Sequence, residues 1–390
     1  MNSAEPDVHR SEGPRLLVVG ALDVSLLRFR GRMIEAMIGA GYRVYAAAPA
    51  FEPARRAAFE AMGATPLEFP LARTGLDPRA DLRTYRALLA LVHEHEIDLV
   101  FPYTIKPVVY GSLAARKGGA KALSLITGLG YTFAATTTKA KLVRALVVRL
   151  YRHALRDNVA VLFQNADDLA LFRELGILRQ GVQTDVVAGS GVDLEEFPWR
   201  EPSGRRGLRF VFAARLLEEK GVGLYLDAAR RLKPRFPDAE FLVLGDPQPG
   251  SPSAIDMALV ERLAAEGVIA YSPRRPDIAA VLADADVFVL PSWYREGVPR
   301  SLLEALSIGM AIVTTDTPGC RETVTDGENG RLIPPRDVGA LEEALASLLE
   351  MPEKVAAMGR ASRELAERRF DVRLVNEAIL EHVRTALPTG

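Results

Sequence analysis

The chain predicts an α/β protein built from two Rossmann-like parallel-sheet domains that face each other across a cleft. Three observations predict it. From Arg15 onward, short β-branched apolar runs alternate with amphipathic stretches; the rhythm stops once, at PWREPSGRRG (198–207), and then restarts. A length of 390 residues, 48% hydrophobic and 25% charged, is also long for a single core.

The elements follow in order. RLLVVG (15–20) is an unbroken apolar run, the mark of a buried strand, and FRGRMIEAMIGAG (29–41) has helical spacing closed by glycine. With the strand YRVYAAAP (42–49) they make a βαβ opening. A helix around 82–95, strands IDLVFPY (97–103) and ALSLITG (122–128), a long helix within 138–156, and strands NVAVLFQ (158–164) and TDVVAGSG (184–191) continue it. The proline, glycine and charge of 198–207 mark a linker. Beyond it LRFVFAAR (208–215), AEFLVLGD (239–246), GVIAY (267–271), DVFVLPS (286–292) and AIVTTD (311–316) build a second parallel sheet. The expected division is a flexible tail 1–14, a first domain 15–200, a second domain 201–368, and a helix 369–390 that packs back on the first domain.

Bulk charge narrows the function. With 49 basic against 50 acidic residues the net charge is −1, so no overall field draws polyanions and nucleic acid is not an expected partner. One cysteine, Cys320, excludes an intramolecular disulfide and fits a reducing cytoplasm. The opening MNSAEPDVHRSEGP lacks the apolar core of a secretory signal, and no run is long and apolar enough to suggest a membrane span.

Open parallel sheets bind ligands at the carboxyl ends of their strands, so the segments just after strands are where chemistry is expected. After LRFVFAAR comes LLEEKG: Arg215 ends the strand and Lys220 opens the next helix, two cations able to hold a diphosphate, although on these residues alone a surface pairing of Lys220 with Glu218 or Glu219 is the ordinary explanation. DVFVLPSWYREGVPRSLLEAL gives a strand, a loop with Glu296 and Gly297, and a helix with Pro299 at its first turn, whose free amides suit a phosphate. Glu304 sits inside that helix among leucines; an i to i+4 pair with Arg300 is the ordinary explanation, and a capping role is the ordinary one for Glu296. In VTTDTPGCRETVTDGENG, Pro318 and Gly319 form a turn that could wall the cleft.

The order of these segments, together with YTIKPVVYGSLAAR (103–116), LITGLGYTF (125–133) and VLFQNADD (161–168), resembles the retaining glycosyltransferases of family 4, which have the GT-B fold. Within that family it is similar to a bacterial subgroup of α-1,3-N-acetylgalactosaminyltransferases that extend a polyprenyl-diphosphate-linked sugar. The resemblance spans nearly the whole chain. It implies that Glu304 accepts hydrogen bonds from the ribose of a nucleotide sugar, that Glu296 meets the donor sugar, and that Arg215 and Lys220 hold the diphosphate. It further implies that Gly297, Val298 and Pro299 face the sugar and phosphate beside Arg300, that Ser272 and Arg274 lie by the base, and that Gly20 belongs to the donor side. Lys106, Arg73, Thr127 and Gly128 are the matching candidates for the acceptor. The implied donor is UDP-N-acetylhexosamine. Three departures stand out: the second-domain strand ends AAR in place of GR, the loop after the first strand has one glycine in place of two, and LITGLGYTF lacks the histidine many members carry.

Without an evident nucleophile, retention points to front-face transfer, with electrostatic stabilisation of the departing diphosphate dominant. No aspartate motif calls for a metal, and no cofactor beyond the nucleotide sugar is expected. TKAKLVRALVVRLYRHALR (138–156) carries Lys139, Lys141, Arg144, Arg149, Arg152 and Arg156 with no acid among them, the pattern of a basic amphipathic helix. It suits an anionic membrane surface as well as it suits a solvated domain face, and a lipid-linked acceptor favours a peripheral place on the cytoplasmic side. A nucleotide-sugar epimerase of the same fold and a non-catalytic membrane-surface scaffold are the rival readings.

Overall fold

The structure is a computed structural model that describes residues 13–72, 75, 77–130, 133, 138–201 and 207–389. The tail expected at 1–14 therefore lies outside the described residues up to residue 12, as do 202–206 of the expected linker and Arg73.

Two all-parallel sheets carry the chain. The first has seven strands, β1 (Arg15–Val19), β2 (Arg43–Ala48), β3 (Thr65–Glu68), β4 (Leu99–Pro102), β5 (Lys121–Ile126), β6 (Ala160–Phe163) and β7 (Gln183–Val186), in the order β3-β2-β1-β4-β5-β6-β7. The second has six, β8 (Arg209–Ala213), β9 (Glu240–Leu244), β10 (Ala270–Ser272), β11 (Val287–Leu290), β12 (Ala311–Thr315) and β13 (Gly330–Ile333), in the order β10-β9-β8-β11-β12-β13. Both orders reverse beside the first strand, at β1/β4 and at β8/β11, which are the switch points where open sheets leave a crevice. The central strands are buried on both faces, as in LLVV of β1 and VFVL of β11.

Helices cover the sheets. In the first half they are α1 (Asp23–Gly39), α2 (Pro53–Ala61), α3 (Pro78–Glu94), α4 (Ile105–Gly118), α5 (Thr138–Ala154) and α6 (Ala166–Glu174). The second half adds α7 (Val222–Leu232), α8 (Met257–Ala265), α9 (Ile278–Ala283), α10 (Arg300–Ile308), α11 (Val338–Glu350), α12 (Pro352–Leu365) and α13 (Val372–Ala386). Among the described residues no helix is long and apolar enough to cross a membrane.

The chain crosses between the halves twice. After α12 a π-helical turn, Ala366–Phe370, leads back to the first half, where Val192 N–H donates to Phe370 C=O at 2.8 Å and Val372 N–H to Val192 C=O at 3.0 Å. The apolar stripe of α13, Val375, Ile379, Leu380 and Val383, then completes the core under β1 and β2.

The sequence reading missed β3 and β13 and started α1 too late. Both strands are sheet edges of four residues; β3 is TPLE, with a proline and a charge, and β13 is GRLI, half-buried at its two middle residues. An edge strand lacks the unbroken apolar run that reveals a central one.

Candidate active site

The second sheet builds the acidic and basic pairs. Gly221, at φ +81°, turns the chain sharply after the 3-10 segment Glu218–Lys220; a side chain there would meet Pro291 C=O at 2.2 Å. That turn drives Lys220 inward, and its Nζ lies 2.6 Å from Glu296 Oε1, both side chains nearly buried. The Lys220 ammonium also stands over the Tyr294 ring, 5.5 Å from its centroid. Glu296 accepts a second bond from Ser292 Oγ at 3.0 Å. Lys220 thus pairs with neither Glu218 nor Glu219, the surface partners that sequence proximity suggests.

Glu304 lies one turn inside α10, with 5% of its surface exposed. It takes hydrogen bonding from Arg300 Nε at 3.0 Å, the i to i+4 pair, and a longer contact from Arg28 Nη2 at 3.6 Å. Burial outweighs both cations and holds its carboxyl above the usual carboxylate range. Arg28 comes from α1 in the other domain, so the pair closes the cleft from both sides. Arg300 Nη1 donates to Arg28 C=O at 2.7 Å, and its guanidinium sits over the Phe29 ring.

Of the other expected donor residues, Arg274 is the one brought towards this pair. Arg215, expected to end the strand, lies two residues beyond β8, exposed and without a side-chain hydrogen bond or ion pair among the described residues. Arg274 is exposed, anchored by its N–H to Asp246 Oδ1 at 3.0 Å, and near enough to Arg28 for their charges to oppose each other. Ser272 ends β10, its hydroxyl turned to Pro273 C=O. Pro299 is the N-cap of α10 and gives it no side-chain cap; the Leu302 and Leu303 N–H groups turn back on Pro299 C=O, which leaves the amides of Arg300 and Ser301 for a guest. The Val298 side chain instead points into the second core, leaving only its backbone for a ligand. Gly20 follows β1 under Tyr103, where a side chain would meet the phenol oxygen at 2.6 Å; its size serves that packing.

The acceptor candidates separate. Lys106, expected to meet the acceptor, sits in the first turn of α4 and is paired with Asp81 at 2.8 Å, both side chains mostly buried. Thr127 and Gly128 reach the seam itself: Gly128 pairs backbone to backbone with Glu296, and Gly130 N–H donates to Arg295 C=O at 2.9 Å. A side chain on Gly128 would meet Gly297 N at 2.4 Å, and one on Gly297 would meet Gln164 Oε1 at 2.0 Å and the Thr127 backbone at 2.9 Å. Gly319, at φ +81°, approaches Gly297 C=O just as closely, so the 316–322 turn does wall this point.

Several residues near the candidate site escaped the sequence reading. Asn165, fully buried, caps α6 through Asp168 N–H and donates to the carbonyls of Glu296 and Gly297 at 3.2 and 3.0 Å. Asp168, also fully buried, pairs with Arg295 at 2.9 Å, and Asp167 with Arg321 at 3.0 Å. An N-D-D ahead of a helix signals a cap, but its partners across the domains leave no local trace. Thr104 stands at φ 68°, ψ 158°, with a buried hydroxyl that has no hydrogen-bond partner, at the cleft end of α4. Arg30 is buried over the Tyr103 ring with Nε unpartnered, and burial lowers its guanidinium to about 10.

Two open parallel sheets and an interdomain seam give the GT-B fold, and the carboxylates and cations gathered at that seam suit a glycosyltransferase. Residues 194–365 match the family model described as glycosyl transferases group 1, so the chain carries a domain of that family. The N,N'-diacetylbacillosaminyl-diphospho-undecaprenol α-1,3-N-acetylgalactosaminyltransferase of Campylobacter jejuni is 27% identical over 84% of this chain and 87% of its own. The UDP-Gal:α-D-GlcNAc-diphosphoundecaprenol α-1,3-galactosyltransferase of Escherichia coli is 26% identical over 69% of this chain and 71% of its own. The structure of Anabaena HepE in complex with UDP superposes with a TM-score of 0.75 at 19% identity, over 95% of this chain and 99% of that one; a likeness at this identity speaks for the fold.

Proposed function

We propose that the protein is a retaining glycosyltransferase that moves a hexose or N-acetylhexosamine from a UDP-sugar to a polyprenyl-diphosphate-linked saccharide. The meeting of Lys220 with Glu296, and of Glu304 with Arg300 and Arg28, at one seam carries this reading. That set has the hydroxyl acceptors and the positive charge a nucleotide sugar needs. The undecaprenyl-diphosphate substrates in the names of two relatives support the acceptor, and the UDP of the Anabaena HepE complex supports the nucleotide.

Each carboxylate is paired with a cation in the structure. A donor exchanges those partners: its ribose hydroxyls donate to Glu304, its diphosphate draws Lys220 away from Glu296, and Glu296 accepts from the sugar. A hydrogen bond to a charged group is worth roughly 1.5–3 kcal/mol, so two such bonds are of the same size as the roughly 3–5 kcal/mol lost on breaking a nearly buried ion pair. In the reaction the bond from C1 to the diphosphate oxygen breaks while the acceptor oxygen bonds C1 on the same face, and the acceptor's proton passes to the leaving oxygen. Arg215, Lys220 and the amides at the start of α10 stabilise the charge that collects there. The helix term is about 0.3–1 kcal/mol, rising to ~2 when partly buried, so the side chains contribute more.

A lipid-linked acceptor brings the enzyme to a membrane surface. α5 spans Thr138–Ala154 with no acid and sets Lys141 and Arg149 in solvent, so it is our candidate for contact with anionic lipid on the cytoplasmic face. Of Lys139 only the backbone is described.

The test supplies UDP-hexoses and UDP-N-acetylhexosamines with a panel of short polyprenyl-diphosphate monosaccharides, and reads new glycolipid by mass spectrometry and its anomeric configuration by NMR. One donor gives product with the donor's configuration kept, and Lys220→Ala and Glu304→Ala each lower turnover at least a hundredfold with unchanged circular dichroism. Inverted product, or full turnover in either variant, rejects the reading.

A further inference from the structure

We propose that a groove between α3, α4 and α5 holds the first isoprene units of the acceptor's lipid chain; this rests on the lipid-linked acceptor of the reading above. The groove has a volume of about 630 Å³, within the range of cavities that enclose a small-molecule ligand. Its walls are Leu82 and Tyr85 of α3, Tyr110 and Leu113 of α4, and Leu146 and Leu150 of α5.

Three observations favour an apolar chain with an anionic head. Of the large apolar side chains exposed among the described residues, Leu82 and Leu146 line it, and Leu142, 70% exposed, lies one helical turn before Leu146 on α5. Isolated exposed leucines are ordinary, but a cluster around an apolar groove marks a binding surface. The charges inside are self-neutralised, Asp81 by Lys106 at 2.8 Å and Arg116 by Asp157 at 3.1 Å, so the walls demand no polar guest. Around it Lys117, Lys141 and Arg149 are exposed, and α5 offers no acid to repel a diphosphate.

Direction completes the argument. α3 and α4 start at the carboxyl ends of the strands, so Pro78, Asp81 and Lys106 mark the groove's cleft end, and Leu113 and Lys117 lie farther away. A saccharide in the cleft therefore has its lipid leaving along an apolar path.

The experiment measures binding of farnesyl diphosphate and inorganic pyrophosphate to the full chain by calorimetry in detergent-free buffer. Farnesyl diphosphate binds at least tenfold tighter. Leu113→Trp, which fills the floor, removes that advantage while pyrophosphate affinity and acceptor-free UDP-sugar hydrolysis stay at the parent level. If Leu113→Trp does not fold, Leu146→Gln on the exposed lip lowers the advantage severalfold. Equal affinity for the two probes overturns the proposal, as does an advantage that survives both substitutions. Pelleting with acidic vesicles that either variant weakens, without any farnesyl preference, also overturns it and makes the groove a bilayer contact. Farnesyl preference in a chain that transfers no sugar to lipid acceptors keeps the groove and rejects the transferase acceptor instead.

Discussion

Glu304 is a carboxylate held in a nearly dry place, and its titration follows from that. Burial raises its folded-state value above the unfolded one, so ionisation costs stability above that value, and the cost disappears as pH falls below the ordinary carboxylate range. Ribose hydroxyls bind the ionised form best. UDP affinity should therefore begin to fall on acidification while exposed carboxylates are still ionised, and Glu304→Gln should bind more weakly but without that pH slope; calorimetry across pH 4–8 checks it. Thr104 poses the opposite case, strain with no visible return. Its backbone lies where only glycine is relaxed, at a cost of about 1–3 kcal/mol, and its buried hydroxyl is unpaired. Thr104→Gly should raise the melting temperature by a few degrees and raise KM for the acceptor more than for the donor. A lower melting temperature would show that the hydroxyl stabilises the fold. From sequence, Glu296 and Glu304 stand out because carboxylates beside an apolar helix start are costly; Thr104 does not, since nothing in YTIKP announces its backbone angle.

The helix α10 and the loop before it form the working element. Pro299 starts the helix without a side-chain cap and Gly297 lets three backbones converge, those of the 126–128 loop, the 296–298 loop and the 319 turn. Gly297→Ala inserts a methyl against the Thr127 backbone, a surface that cannot rotate away, so overpacking of about 1–3 kcal/mol is expected. The melting temperature should drop by a few degrees and donor kcat/KM about tenfold or more, since the seam shifts by the width of that methyl; an unchanged kcat/KM would remove Gly297 from the site. At this scale the central strands and the amphipathic helices could be read from periodicity. The edge strands β3 and β13 could not, because pairing on one side allows polar and short segments that carry no strand pattern.

The whole molecule depends on how two sheets are held at the seam. Asn165, Asp168, Arg295 and Arg321 fasten it next to Glu296 and Gly297, so domain position and site geometry are one quantity. Breaking a buried ion pair costs about 3–5 kcal/mol; Arg295 is partly exposed and Asp168 pays its own burial, so roughly 2 is expected here. Asp168→Ala should lower the urea midpoint accordingly and weaken donor binding, although neither Asp168 nor Arg295 belongs to the expected donor set. Unaltered UDP affinity would separate the seam from the site.

By itself the sequence determined the α/β class and the two-sheet division and marked Arg215, Lys220, Glu296 and Glu304 as second-domain candidates, because alternating apolar runs and strand-end motifs are local properties. Only the tertiary structure decided that Lys220 reaches Glu296, that Arg28 joins Glu304 from the other domain, that Lys106 is spent on Asp81, and that Gly128 lies against Glu296. Those contacts join residues far apart in the chain, and burial and pairing between distant segments are set by how the two halves dock, a quantity that no single stretch of sequence encodes.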